Sequence, residues 1–223
     1  MNFDFDYMIS VFPVLLKALP LTLLMAVVSM ILAVIMGGVL TLITKGKIPV
    51  LYQLASIYIS FFRAVPTIVQ LFLIYFGLPQ LFPVFSSLDA LSAAIIGLSL
   101  KNSSYLAEIF RAALYSVDEG QIEACMTVGM TKTQAYIHII IPQAIRNAIP
   151  ATGNTFIGLL KETALAFTIG VTEMLASGKM AAASTLRFFE AYMAVALIYW
   201  VLVIGYSAVQ SWFERIINKP YVR

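Results

Sequence analysis

The sequence predicts an all-α membrane protein with five transmembrane helices in a single domain, residues 1–223. Of its 223 residues, 61% are hydrophobic and only 11% are charged, whereas a soluble domain keeps about 25% charged residues. The mean hydropathy is +0.93. Long uncharged runs recur along the chain, and a helix needs about 20 apolar residues to cross a bilayer core of roughly 30 Å. Lipid is therefore expected to be the solvent for most of the surface.

Each predicted span fills an interval between charged or helix-breaking residues. The runs between Lys17 and Lys45 and between Arg63 and Asp89 contain no charge. Pro66 predicts a bend in the second helix, because proline lacks the amide N–H and crowds the preceding turn. The five helices are predicted over residues 19–44, 50–82, 89–115, 150–172 and 191–213.

The distribution of positive charge predicts an N-terminus outside the cell and a cytoplasmic C-terminus. With that orientation the inner side carries Lys45, Lys47, Arg111, Lys132, Arg146, Arg215, Lys219 and Arg223, and the outer side carries Lys17, Lys179 and Arg187. Cytoplasmic loops of membrane proteins have an excess of lysine and arginine. The segment 116–148, between the third and fourth helices, is therefore predicted to face the cytoplasm.

The composition argues against several other functions. A single cysteine excludes an internal disulfide, and one histidine makes a metal site improbable. The net charge of +3 is too small to suggest a nucleic-acid partner. No Gly-x-x-x-x-Gly-Lys-Ser/Thr motif occurs, so we expect no cofactor bound by this chain and no catalysis by it alone. The acidic N-terminus and the long first apolar run argue against a cleavable signal peptide.

Residues 116–148 have a polar, soluble character that is unusual in so apolar a chain. Residues 118–120 are predicted to end one helix and start another, and Pro142 is predicted to stop the next. Gly129 would cost a lone helix about 1 kcal/mol relative to alanine, so it is predicted to mark a turn between two short helices. A loop helix that packs back on the bundle, a helix that lies in the plane of the lipid headgroups, and a docking site for a partner all explain this pattern.

The spacing inside this segment resembles the cytoplasmic signature of permease subunits of bacterial ABC importers, which reads Glu-Ala-Ala, three residues, Gly, nine residues, Ile-x-Leu-Pro. The chain has Glu123-Ala124-Cys125, then Gly129, then Ile139 to Pro142, and departs from the pattern at Cys125 and Ile141. Residues 62–70, 107–113, 142–144 and 153–163 are similar to the polar amino acid branch of that family. The resemblance covers about residues 19–212.

The resemblance implies a type I, binding-protein-dependent importer in a bacterial cytoplasmic membrane. Two permease subunits, identical or paralogous, form the pore, and an extracytoplasmic binding protein delivers a small amino acid. A dimer of cytoplasmic ATPases binds ATP and magnesium, so the permease itself is not an enzyme. The docking residues that the motif implies in this chain are Glu123, Ala124, Cys125, Gly129 and Pro142.

Polar and ionisable residues inside the predicted spans suggest a substrate path. An ionisable residue at bilayer depth costs at least about 2.5–3.5 kcal/mol, so it usually faces a cavity or a partner. The candidate path residues are Lys101, Asn102, Ser103, Ser104, Asn154, Thr155, Lys161 and Glu162. The alternative is structural: Lys101 bonds Glu108 or a carbonyl, and Lys161 and Glu162 cap a helix break.

Residues near the predicted bend are candidates for gating or support: Arg63, Pro66, Gln70 and Glu108. Arg63 snorkelling to the headgroups and Gln70 bonding a neighbouring helix are the plainer alternatives. Gly37 and Gly38 are predicted to allow close helix packing.

Among possible substrates, the resemblance favours L-cystine or a similar neutral or sulfur amino acid. Members associated with arginine, lysine or histidine often carry a glutamate at the position of Thr155, which this chain lacks. Residues 101–104 and 187–192 look most like the cystine-transporting members. Glutamine, arginine and histidine are the alternatives. An ion-coupled secondary transporter fits poorly, because such folds usually contain inverted repeats, and a membrane-anchored enzyme would need a catalytic constellation that the chain does not offer.

Overall fold

The computed structural model describes residues 3–218, and that part of the chain is helical with no strand. Its helices are α1 (Phe5–Gly46), α2 (Pro49–Ala64), α3 (Thr67–Leu81), α4 (Ala90–Tyr115), α5 (Gly120–Thr127), α6 (residues 132–162), α7 (Met174–Ala183) and α8 (Phe188–Asn218). Two 3-10 turns, Pro83–Ser87 and Thr163–Ile169, follow α3 and α6. The predicted all-α class is confirmed.

The first predicted helix is wrong at its N-terminal end, because α1 begins at Phe5 rather than at residue 19. Asp4 starts it: the Asp4 carboxylate accepts a hydrogen bond from the Tyr7 amide at 2.9 Å, which satisfies one of the free N–H groups of the first turn. Lys17, taken as a boundary, lies on the exposed surface of the continuous helix. At the other end of the chain, α8 extends past both predicted limits.

The second predicted helix is two helices, because α2 and α3 meet at an angle of 114°. Val65 and Pro66 between them have extended backbone conformations. Proline supplies no N–H and disfavours the helical conformation in the residue before it, so both effects act at this point. The predicted position of the bend is confirmed, but the prediction of one continuous bent helix is wrong.

The third predicted helix agrees with α4. The fourth, predicted over residues 150–172, is wrong at both ends, because α6 covers residues 132–162 and a 3-10 turn follows it. Asp89 caps α4 by accepting hydrogen bonds from the Ser92 amide and hydroxyl, which hold the pKa of the Asp89 carboxyl below its usual value. α6 begins at Lys132 and runs through Pro142 and Pro150. A π turn at Tyr136–Ile140 widens the helix directly before Pro142, where the proline ring would crowd a regular turn. The predicted stop at Pro142 is therefore wrong.

Helices α1 and α4 pack closely along the bundle. A Cβ atom added to Gly37 would lie 2.9 Å from Leu106 Cβ and 3.1 Å from the Ser103 carbonyl oxygen. Thr41, one turn on, donates its hydroxyl to the Ala107 carbonyl at 3.1 Å. The predicted close packing is confirmed for Gly37. For Gly38 it is wrong, because a Cβ atom there would meet nothing within 4 Å.

The number of membrane spans and the orientation stay predictions. Helices α1 and α8 are each long and apolar enough to cross a membrane, and the bent pairs α2–α3 and α6–α7 raise the number to four if each pair is one span. Helix α4 carries three charged residues among its 26, Lys101, Glu108 and Arg111. Lys219 and Arg223, which contribute to the predicted orientation, lie outside the described residues.

The contrast between the two neighbouring glycines is testable. We expect Gly37→Ala to destabilise the fold by about 1–3 kcal/mol, because the added methyl group overpacks the α1–α4 contact. Gly38→Ala is the matched control and should leave stability unchanged or slightly raised, since alanine is the better helix former. Thermal unfolding of both variants in the same detergent measures the difference. Equal midpoints for the two would contradict the packing described here.

Candidate functional site

Two short helical pieces form an exposed elbow, defined here as residues 118–138. Asp118 starts it by accepting a hydrogen bond from the Gly120 amide at 2.7 Å. The chain turns at Gly129, whose φ of +83° lies in the left-handed region that glycine enters without steric cost. Thr131 and Gln134 then form a reciprocal capping box that starts α6. The predicted turn at Gly129 is confirmed, but only the helix before it, α5, is short, because α6 continues to Glu162.

One side of the elbow is anchored to the bundle. Ile122 packs on a buried cluster that lies below it, formed by Ala113, Val117, Ile140, Ala144 and Ala148. Cys125 and Ala135, one on each arm of the elbow, are also buried. The elbow is therefore joined both to the end of α4 and to α6.

The other side of the elbow exposes both charge and apolar surface. Glu123 and Ala124 are exposed, and the apolar residues Met126, Val128 and Ile137 are 45%, 75% and 56% exposed. Apolar residues grouped on a polar segment are typical of a surface that contacts another protein. Pro142 lies at the base of the elbow on α6, and is exposed.

A salt bridge between α4 and α6 is the main ionic contact inside the bundle. The Lys101 ammonium lies 2.7 Å from Glu162 Oε1, with side chains 14% and 24% exposed, and 4.5 Å from the centre of the Tyr105 ring. The other oxygen of Glu162 has no hydrogen-bond partner among the described residues. The structural alternative that paired Lys101 with Glu108 is therefore wrong.

Glu108 instead bonds two arginines. The Arg111 guanidinium lies 2.6 Å from Glu108 Oε2, and that of Arg63, on α2, lies 3.9 Å from the same atom. Arg63 also lies 5.7 Å from the centre of the Tyr105 ring. The aromatic ring of Tyr105 thus lies near both Arg63 and Lys101, a role that sequence reasoning missed because nothing marks it among eleven tyrosines.

The remaining path candidates fall into two groups. Asn102, Ser103 and Ser104 are buried, and their side chains bond to the Leu98 carbonyl, the Tyr58 hydroxyl and the Lys101 carbonyl at 2.7–2.8 Å. On α6, in contrast, Asn154 and Lys161 are exposed and Thr155 is half-buried. The structure thus brings Glu162 to Lys101, while the other candidates on α4 are buried and those on α6 are exposed or half-buried. Their role in a substrate path stays a prediction.

Gln70 holds the break between α2 and α3. Its side chain is buried, and its amide nitrogen donates to the Phe62 carbonyl at 3.0 Å and the Val65 carbonyl at 2.7 Å. These carbonyls lose their helical partners where Pro66 interrupts the chain, and in an apolar surrounding they need a substitute. Gln70 thus bonds the end of α2, so it contacts a neighbouring helix only because the predicted helix 50–82 is divided at Pro66.

A buried carboxylate that the sequence did not single out starts α7. Glu173 is fully buried and accepts hydrogen bonds from the amides of Leu175 at 2.9 Å and Ala176 at 2.8 Å. The Met174 amide donates to the Thr22 hydroxyl on α1 at 3.2 Å. Glu173 sits between two apolar runs, where a sequence pattern does not distinguish a capping acid from a loop residue.

Comparison with known proteins agrees with this architecture. Residues 29–219 match the family of the binding-protein-dependent transport system inner membrane component. A probable amino-acid permease protein of Bacillus subtilis, YxeN, is 69% identical over 98% of this chain and 97% of its own length. A probable amino-acid ABC transporter permease protein of Vibrio harveyi, PatM, is 51% identical over the full length of both chains. The crystal structure of an amino acid ABC transporter with histidines superposes with a TM-score of 0.89 at 38% identity, over 96% of this chain and 99% of that chain.

Relatives named for particular amino acids are more distant. An L-cystine transport system permease of Bacillus subtilis, TcyL, is 37% identical over 97% of this chain and 91% of its own length. An arginine transport system permease of the same organism, ArtQ, is 36% identical over 96% and 97%. The two identities are nearly equal, so similarity alone does not choose between these substrates.

The fold and the elbow define a permease component of a membrane transport system, with the fold of type I ABC importer permeases. The chain belongs to the family of binding-protein-dependent transport system inner membrane components. Such a component is not an enzyme, because ATP hydrolysis is performed by a separate ATPase. Its place is the inner membrane, consistent with the apolar helices α1 and α8.

The salt bridge between α4 and α6 gives a second prediction. We expect Lys101→Gln to destabilise the fold by about 2–3 kcal/mol, because it leaves the Glu162 carboxylate without a counter-charge. The value lies below the roughly 3–5 kcal/mol for a fully buried pair, since both side chains are partly exposed. Thermal unfolding in detergent measures it. The double variant Lys101→Gln, Glu162→Gln should recover much of the loss.

Lys161→Gln is the matched control, since Lys161 is adjacent to the pair along the chain but exposed. We expect its unfolding midpoint to equal that of the unmodified protein. If Lys161→Gln and Lys101→Gln lower the midpoint equally, the Lys101–Glu162 bond does not contribute to stability.

Proposed function

We propose that this chain is the permease subunit of an ATP-driven amino acid importer that carries L-cystine or a similar neutral or sulfur amino acid. Its partners are a dimer of cytoplasmic ATPases, a second permease subunit and an extracytoplasmic binding protein. The observation that carries the proposal is the elbow. It exposes a charged and apolar surface on one side, and on the other side it packs on the buried cluster of α4 and α6. Family membership favours energy from ATP over coupling to an ion gradient.

The exposed surface of the elbow is suited to docking on the ATPase. Ala124 presents little bulk beside Glu123, so a partner can approach the backbone of α5 closely. The apolar side chains of Val128 and Met126 supply area that leaves water on docking. This surface lies on the cytoplasmic side in the predicted orientation.

The anchoring gives a route by which the ATPase moves the membrane helices. The cluster around Ile140 fixes the elbow to α4 and α6, and packed cores move as units rather than deforming smoothly. A displacement of the elbow therefore shifts α4 and α6, which carry Lys101 and Glu162. ATP-driven approach of two elbows would in this way open and close the path between two permease subunits.

The proposed substrate path runs along the α4–α6 contact. An amino acid has one positive and one negative end, and the Lys101–Glu162 pair offers one partner of each sign. Asn154, Thr155 and Lys161 on α6 extend the polar surface beside this pair. Thr155 carries no charge, which favours a neutral side chain over that of arginine or lysine.

The docking role of Glu123 predicts the effect of a charge reversal. We expect Glu123→Arg to lower ATP-driven uptake and copurification of the ATPase by at least about tenfold, because reversing a charge in a desolvated contact costs about 2 kcal/mol or more. The variant should still insert and fold, since Glu123 is exposed. Uptake into reconstituted vesicles and affinity purification measure the two effects.

Asp6→Arg is the matched control for this reversal. Asp6 is also exposed, in the first turn of α1, and the predicted orientation places it on the opposite side of the membrane from the elbow. We expect it to retain the ATPase fully. If Glu123→Arg also retains the ATPase and transports normally, the elbow is not the docking site.

The substrate choice predicts a change of preference at Thr155. In uptake assays we expect cystine to compete better than arginine in the unmodified protein. Thr155→Glu should improve competition by arginine by about tenfold through one added ion pair, equal to about 1.4 kcal/mol. Thr155→Gln should not show this gain, because glutamine has nearly the shape of glutamate but no charge. Strong preference of the unmodified protein for arginine would overturn the choice of cystine but not the importer assignment.

A further inference from the structure

A long apolar groove lies among α1, α4, α6 and α8. Its volume of about 780 Å³ falls within the range of about 300–1,000 Å³ that small-molecule sites have. Val34, Leu42, Phe110, Ile145, Ile149 and Trp212 contribute to its walls. Neither Lys101 nor Glu162 lines it, so the groove is separate from the proposed substrate path.

Gly38 keeps the groove open on the α1 side. A Cβ atom added to Gly38 would meet nothing within 4 Å, whereas one added to the preceding Gly37 would collide with α4. The α1 residues that line the groove extend from Val34 to Lys45. At about 1.5 Å per residue they span about 16 Å, which is about half of a hydrocarbon core of roughly 30 Å. The groove therefore has the length of one leaflet.

A cationic side chain lies at one end of this apolar groove. Lys45 lies in the last turn of α1, is exposed, and holds its ammonium 4.0 Å from the centre of the Tyr136 ring. Within residues 3–217 it takes part in no ion pair. The carboxylate of Glu214, on α8, accepts a hydrogen bond from Gln210, a groove residue, at 2.8 Å. Lys47 adds a second exposed positive charge just beyond α1.

We propose that the groove binds an anionic phospholipid, with one acyl chain along Gly38 and the phosphate at Lys45. An apolar channel of leaflet length with a cation at its mouth matches an amphiphile with an apolar chain and a negative head. A free amino acid does not match it, because the walls offer few groups for its charged ends. A lysine at the membrane surface attracts an anionic lipid head, which gives the charge complementarity.

The test measures lipid retained by the full-length protein with its copurifying subunits. The protein is reconstituted in nanodiscs of equal amounts of phosphatidylglycerol and phosphatidylcholine, released, and analysed by native mass spectrometry. We expect one lipid per permease subunit, enriched in phosphatidylglycerol. Lys45→Gln should reduce that enrichment about fivefold, the effect of one surface lysine, without reducing total lipid. Gly38→Leu, which fills the groove, should remove the bound lipid of both kinds.

Gly205→Leu is the matched control for the filled groove. Gly205 is also helical with nothing within 4 Å of an added Cβ, and it does not line the groove. We expect this variant to retain lipid like the unmodified protein. Equal retention by the two leucine variants would overturn the proposal, and so would unchanged enrichment in Lys45→Gln. If Gly38→Leu separates two permease copies, the proposal is also overturned, because a second copy and not a lipid then covers the groove in the unmodified protein.

Discussion

The buried cluster beneath the elbow is the contact on which the proposed function of this permease depends. Ala113 and Val117 come from α4 and its end, and Ile140, Ala144 and Ala148 come from α6. These side chains are mostly small, so the two helices approach closely and the elbow has little freedom to move alone. A docking surface on a loose loop would absorb an applied displacement. Anchored in this way, the same surface can pass the displacement on to α4 and α6.

Two buried polar side chains bond backbone groups that would otherwise lack partners. Gln70 donates to two carbonyls at the α2–α3 break, and Glu173 accepts from two amides at the start of α7. In a lipid surrounding, an unsatisfied backbone group costs several kcal/mol. At each of these two breaks a buried side chain completes the hydrogen bonds. Lys101 and Glu162 differ from these residues, because they bond each other across α4 and α6. One oxygen of Glu162 and the side-chain oxygen of Gln70 have no partner among the described residues.

The sequence predicted the features that local rules determine. Helical class, the bend at Pro66, the turn at Gly129 and α4 all follow from hydropathy, proline chemistry and glycine conformation. Helix ends were harder to predict, because Lys17 and Pro150 each look like a boundary, yet a lysine is tolerated on an exposed helix surface and α6 continues through the proline. The pairing of Lys101 with Glu162 rather than Glu108 depends on how α4 and α6 lie side by side, which periodicity within one helix does not contain.

The adjacent glycines of α1 show why one sequence pattern can lead to two different outcomes. Both lack a side chain, and spacing alone suggests helix packing for both. Successive residues of a helix point about 100° apart, so when Gly37 faces α4 its neighbour must face elsewhere. Gly37 allows α1 and α4 to pack in direct contact, whereas Gly38 leaves open space at the edge of the groove. The role of a glycine in a helix therefore depends on what lies opposite it. At Gly37 the missing side chain allows contact with α4, and at Gly38 it leaves room in an apolar groove of leaflet length.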